Sequence, residues 1–403
     1  MNKNSSNQTD YLIINFWDST FNYGAMLTAY AMQEMVKDFG FNAKLLNTGE
    51  KVQYSWYRGS HLEDFSSKYL NTTNPLSYKE TIEFAKKLKG VIIGSDQVLR
   101  LAMIRGFFNK YLVNFAGDDV QKIAFSPSFG LDKKEFLSKQ KIKQDELEFM
   151  KNSLKSFDYL SCRELQGLEI YKDLFDLDAD MLLDPVFLID KEKYVEIAKT
   201  SSLDVDGKIF SYILRENEYR NAYSFLSEKL NAEILEIDVK VNPTQDWLNG
   251  IINSKFVITD SFHCACFAII FNKPFICVSS EDGGASRLYS LFEILGINGT
   301  FVTKLDELYS LNYPIDIDYK KVNIALNEQR NRCLDIVQKV LKENYSNNPN
   351  KISTPNPYKY SMVKYFSKYF KYVKCMFLAK VLKSKPVSNI EKAKFRKIEL
   401  EWN

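Results

Sequence analysis

The chain has 403 residues, 45% hydrophobic and 26% charged, with a formal net charge of +3. That length accommodates two ordinary domains, and the composition excludes a disordered or fibrous chain. No run of about eighteen uncharged apolar residues occurs, so no spanning helix is expected. The N-terminal MNKNSSNQTD passes directly into an apolar strand-like run without the parts of a secretory signal, and the location reads as cytoplasmic.

In chain order, YLIINF (11–16) reads as a first strand and residues 17–23 as the loop after it. From Gly24 to Phe39, apolar residues recur at helical spacing, and Gly40 stops that helix. Further strands are expected at 43–47, 90–94, 122–126, 159–162 and 181–184. A second series follows Pro185, with strands at 208–214, 232–237, 255–260 and 274–279 and helical patterns between them. Alternating strands and helices indicate an α/β fold: two Rossmann-like domains facing across a cleft, with ligands at the carboxyl ends of the strands. The expected division is 1–185, 186–316, a closing helix over 317–346, and a linker with a basic tail over 347–403.

Charge is unevenly placed. Residues 357–403 hold 12 Lys and Arg against 3 Asp and Glu, so the rest of the chain is net acidic. Nucleic-acid binding is not expected, because such proteins build their basic surface into the folded domain. Wound as a helix, 358–378 puts Met362, Phe366, Tyr369, Val373 and Phe377 on one side. Lys364, Lys368 and Lys371 fall on the other, the pattern of a helix lying on a membrane surface. The alternative is a helix docked on the protein's own body.

The six cysteines (Cys162, Cys264, Cys266, Cys277, Cys333 and Cys375) are irregularly spaced and read as reduced, buried thiols. His263, Cys264 and Cys266 are too close on one helix to complete a tetrahedral zinc site, so no metal is expected.

The segment 255–280 carries the most chemistry. A strand ends at Thr259-Asp260 and a helix begins at Ser261, whose first N–H groups form an anion site. His263, one of only two histidines, sits in that first turn, where an imidazole can deliver a proton near neutral pH. Its bland alternative is a locally packed histidine. In GSDQV (94–98), Ser95 and Asp96 stand at another strand end, which is also ordinary capping chemistry. Arg163 in SCRE (161–164) suits a carboxylate or phosphate, or else an ion pair with Glu164. Arg287 enters an apolar helix after a glycine-rich loop, where an anion is again the natural ligand.

Taken in order, NYGAMLTAYAMQ (22–33), GSDQV, FSPSFG (125–130), SCRE, DPVFLI (184–189), TDSFH (259–263), KPF (273–275) and SRLYSLFEILGI (286–297) resemble the polysaccharide pyruvyltransferase family. The match covers about residues 11–300 and excludes the tail. It implies a GT-B-like fold, an acceptor side in the first domain, and phosphoenolpyruvate on the side of the second. It implies no metal or organic cofactor, His263 as general acid and Arg163 as donor ligand, with Arg287 as a further basic residue. Better-studied members carry Arg-Leu-His where this chain has Ser261-Phe262-His263. The missing phosphate contact then falls to Arg287, Lys273 or backbone amides. On this reading Asp96 or Asp260 is the hydroxyl base, and Asn22 and Tyr23 meet the acceptor sugar. The acceptor is expected to be polyprenyl-linked, and the enzyme peripheral at the inner face of the cytoplasmic membrane. A sugar-nucleotide glycosyltransferase of the same architecture, or a membrane-tethered glycan- or anion-binding protein without activity, are the alternatives.

Overall fold

The computed structural model describes residues 8–18, 22–49, 61–140, 142–215, 217–279 and 285–357. The first domain is a parallel sheet of β1 (Tyr11–Ile14), β2 (Ala43–Leu45), β3 (Gly90–Ile93), β4 (Gln121–Ala124), β5 (Tyr159–Cys162) and β6 (Asp180–Met181). Its spatial order is β2-β1-β3-β4-β5-β6. Every residue of β1, β3, β4 and β5 is buried. Helices cover both faces of such a sheet, which is why these strands read as short apolar runs rather than alternating ones.

The second domain repeats the plan with β7 (Ile209–Tyr212), β8 (Ile234–Glu236), β9 (Phe256–Thr259), β10 (Phe275–Val278) and β11 (Phe301–Val302), in the order β11-β10-β9-β7-β8. Two Rossmann-like domains are therefore present, as expected. β11 gave no sequence signal, because a two-residue strand shows no periodicity. In each sheet the order reverses beside the first strand, between β1 and β3 and between β7 and β9. Those switch points open crevices at the carboxyl ends of the strands.

Helix α1 (Tyr23–Asp38) follows β1, and the Asn22 side chain caps it by accepting the Ala25 N–H at 3.1 Å. The long helix Tyr319–Glu343 leaves the second domain and returns to the first. There the Tyr11 hydroxyl donates to the Leu341 carbonyl at 3.0 Å, and the Gln121 amide to that of Val340 at 3.1 Å.

The segment read as a linker is fastened down. The Asn347 amide donates to the Leu160 carbonyl at 2.8 Å while its oxygen accepts the Leu160 N–H at 2.9 Å. Asn348 donates to the carbonyls of Lys155 and Phe157 at 3.0 and 2.8 Å. Asparagine supplies donor and acceptor together, so it satisfies backbone groups at the amino end of β5 and just before it. The basic helix expected at 358–378 lies outside the described residues. Among the described residues no helix is long and apolar enough to cross a membrane, and the five described cysteines are free and buried.

Lys122 is wholly buried in this region, with its ammonium on the hydroxyls of Ser156 and Thr354. Burial pushes its pKa down to about 8, with Asp118 opposing. A lysine depressed in the folded state costs stability below that value, and the cost fades as pH rises towards the unfolded value of about 10.4. Lys122→Met is expected to gain about 2 kcal/mol at pH 7, and the gain should vanish by about pH 10. Thermal unfolding of both proteins across that range checks it.

Candidate active site

β9 ends at Thr259, whose hydroxyl accepts the Ser261 N–H at 3.0 Å. Ser261 then caps the helix Phe262–Ile270, its hydroxyl accepting the Cys264 N–H at 3.4 Å. That cap puts His263 in the first turn, at the switch point of the second sheet, with its ring turned into the first domain. His263 Nε2 lies 3.0 Å from Thr28 Oγ1, 3.3 Å from Arg163 Nη1 and 3.5 Å from Asp184 Oδ2. All three partners belong to the first domain, so the imidazole joins the two. Gly24 allows this approach: a Cβ at that position would lie 2.2 Å from His263 Nδ1. Gly24→Ala is expected to cost about 1–3 kcal/mol by overpacking, read as a lowered Tm.

Arg163 follows β5 and is 2% exposed. Its guanidinium donates to Asp184 at 2.5 Å, Ser95 Oγ at 3.2 Å and Asp96 at 3.2 Å, and stands 4.4 Å over the Phe262 ring. Ser95 Oγ also contacts Asp184, at 2.8 Å. Burial alone would raise the Asp184 carboxyl. The His263 hydrogen bond and the Arg163 charge outweigh it and hold the group far below the usual carboxylate range. Asp96 is lowered in the same way, its burial outweighed by Arg163 and His263. The two carboxylates in turn raise Arg163, against its own burial.

The loop that presents Ser95 and Asp96 depends on Gly94, at φ +124°, where a Cβ would meet the Phe125 carbonyl at 2.0 Å. The Arg163–Glu164 pair is not formed. Glu164 instead accepts the Ser128 hydroxyl at 2.9 Å and the Phe129 N–H at 2.7 Å, and burial pushes its carboxyl up.

Arg287 is the second residue of the helix Ser286–Leu295 and also stands over Phe262, 5.5 Å from the ring. Phe262 thus faces two guanidinium groups. Burial and the Arg163 charge push Arg287 down to about 10, so it remains cationic at neutral pH. The charge of Arg100 also acts on Arg287, and that of Arg215 on Arg100. The Nε groups of Arg100, Arg163 and Arg287 are buried and have no hydrogen-bond partner among the described residues. Such a cluster stabilises a compact, multiply charged anion.

The remaining predicted residues are engaged in other contacts. Asn22 is occupied as the α1 cap. The buried Tyr23 donates its hydroxyl to the Asn242 carbonyl at 2.5 Å, and its ring packs on Tyr212 and Trp247. Asp260 accepts the N–H groups of Leu214 and Arg215 at 2.8 and 2.6 Å. Lys273 stands beyond the far end of the His263 helix and donates to the Ile252 carbonyl at 3.1 Å. Thr28, Asp184, Phe262 and Arg100 were missed. Asp184 stood inside a quoted motif, but it also caps the short turn at Pro185–Phe187, a local role that concealed the other.

A profile of the polysaccharide pyruvyl transferase family matches residues 22–282, more than half of the chain. The chain belongs to that family. The matched stretch contains Thr28, Ser95, Asp96, Arg163, Asp184 and His263, and stops short of Arg287. No curated protein matches the chain. Among solved structures it is similar to UDP-GlcNAc 2-epimerase from Neisseria meningitidis, with TM-score 0.48 and 10% identity, covering 83% of this chain and 100% of that one. A putative UDP-N-acetylglucosamine 2-epimerase from Listeria monocytogenes gives 0.49 and 10%, covering 86% and 100%. The wall teichoic acid polymerase TagF gives 0.46 and 14%, covering 84% and 90%.

Proposed function

We propose that this transferase moves the pyruvyl group of phosphoenolpyruvate onto two hydroxyls of one sugar, forming a cyclic ketal and releasing phosphate. The supporting observation is the contact of His263 with Arg163, together with the Nε groups of Arg100 and Arg287 that have no hydrogen-bond partner among the described residues. A proton donor next to an unsaturated cationic cluster suits a donor that is both highly anionic and activated by protonation.

In the reaction, the C2=C3 π pair takes a proton from His263 to make the methyl group, leaving positive charge at C2. One sugar hydroxyl attacks C2 and its proton returns to the imidazole. The C2–O bond to phosphorus then breaks, and the second hydroxyl closes the ring as its proton leaves with phosphate. Arg163 and Arg287 hold the carboxylate and phosphate through these steps. Asp96 is paired with Arg163 and Asp260 with backbone amides, so the returning imidazole is the better hydroxyl base.

The acceptor is a repeat unit of a surface polysaccharide, carried on a polyprenyl lipid at the inner face of the membrane. The basic excess of 357–403 supports that surface as the partner of the tail.

The test is phosphate release from phosphoenolpyruvate with a panel of synthetic and lipid-linked galactosides, glucosides and mannosides. Acceptor-dependent release, with the pyruvyl mass gained by the sugar, is expected. Binding of a nucleotide sugar but not of phosphoenolpyruvate would replace this reading with the glycosyltransferase.

A further inference from the structure

The two ring nitrogens of His263 stand in different surroundings. Nε2 has the Thr28 hydroxyl, Arg163 Nη1 and Asp184 Oδ2 within 3.5 Å. Nδ1 has no hydrogen-bond partner among the described residues and lies against Gly24, where any side chain would collide with it. Asp184 is itself held on both oxygens. Its side chain is wholly buried; Oδ2 accepts from Ser95 and Arg163, and Oδ1 accepts the Val186 N–H at 3.2 Å.

A buried carboxylate on one imidazole nitrogen fixes the tautomer and ring orientation and leaves the other nitrogen to exchange protons with the reactants. We propose that Asp184 is the positioning residue of the pyruvyl transfer: it holds His263 through Nε2–H, and Nδ1 is the atom that gives its proton to C3. This rests on the pyruvyl-transfer reading for the identity of the proton acceptor. The geometry of the pair stands apart from it.

Arg163 is the competing influence. As an obligate donor at 3.3 Å it favours a bare Nε2; the Asp96 charge also acts with that of the ring, while Arg287 stands over the neighbouring Phe262. Its contact with Asp184, at 2.5 Å, is much the shorter. Nη1 has two N–H groups, and the shorter contacts direct one to the Asp184 carboxylate and the other to Ser95 Oγ at 3.2 Å, so Nε2 can donate to Thr28 and Asp184. The proton leaves Nδ1 for C3 as the C2=C3 pair forms the new C–H bond, and Nδ1 recovers a proton from the attacking hydroxyl. Nε2–H stays in place throughout.

The chain has only two histidines, so their ring nitrogens are separable by ¹⁵N NMR. His61 Nε2 lies 2.7 Å from the Val239 carbonyl, an acceptor only, so it must carry hydrogen there and serves as the internal reference. At a pH where the rings are neutral, His263 of the wild-type protein is expected to show the same Nε2–H signature, with Nδ1 bare. In Asp184→Asn the Nδ1–H form should grow, and kcat should fall by about 10²-fold or more with the phosphoenolpyruvate KM within about threefold.

A wild-type His263 in the Nδ1–H form overturns the proposal, and this result needs no variant to fold. A raised KM with unchanged kcat in Asp184→Asn also overturns it, because Asp184 would then only hold Arg163. If the wild type shows the Nε2–H signature but releases no phosphate with any acceptor, the pyruvyl reading fails while the Asp184–His263 pair stands.

Discussion

Arg163→Met should lower stability by about 3–5 kcal/mol at pH 7 and abolish donor binding. The guanidinium is the shared counter-ion of Asp96 and Asp184, both buried. Methionine fills much of the volume but leaves two carboxylates desolvated and unpaired, which is the costly way to break a buried ion pair. The pH dependence gives the effect a signature. In the wild type both carboxyls are depressed, so their contribution is present above their unfolded values near pH 4 and is lost as pH falls through the folded ones. In the variant the same buried groups lose their nearest cation, their pKa values rise, and acid stabilises them relative to neutral pH. The Tm gap between the two proteins should therefore be widest near pH 7 and shrink towards pH 4. A gap independent of pH would mean that Arg163 contributes by packing alone.

His263→Gln should separate chemistry from binding. The glutamine amide reaches the region of Nε2 and can still contact Thr28 and Asp184, so the domain contact survives, but it cannot give up a proton. Loss of one positioned acid–base group costs about 10²–10⁴-fold in rate, and a fall of that size in phosphate release is expected. Phosphoenolpyruvate affinity, measured by calorimetry, should change by less than about threefold, because the cation cluster is untouched. A variant that keeps wild-type turnover would move the proton donor elsewhere and remove the main support for the proposed chemistry. A variant that loses binding as well would make His263 a part of the anion site instead.

The elements most legible in the sequence were those whose cause is local. Strands covered on both faces are runs of Val, Ile, Leu and Phe whatever they pack against, so β1, β3, β9 and β10 stood out. α1 showed itself by spacing and stopped at Gly40, and Ser261 announced the helix it caps. Elements held by neighbours were invisible. β11 exists because β10 offers an edge, and 347–357 is ordered because Asn347 and Asn348 reach the backbone of β5 and its approach.

Within the site, His263, Arg163, Ser95 and Asp96 were recognisable as strand-end and helix-start groups, since an α/β sheet delivers its chemistry at such ends. Asp260 and Lys273 had the same appearance. Only the turn of the chain sent one to the Leu214 and Arg215 amides and the other to the far end of its helix. The sequence by itself determined the fold class, the family and which strand ends carry charge, because burial, spacing and capping act over a few residues. The tertiary structure alone decided that Asp184 lies between Arg163 and His263, that Thr28 and Gly24 frame the imidazole, and that Phe262 faces two arginines. Those contacts join separate strands and two domains, and a hydrogen bond of about 3 Å depends on how the domains meet rather than on any local pattern of residues.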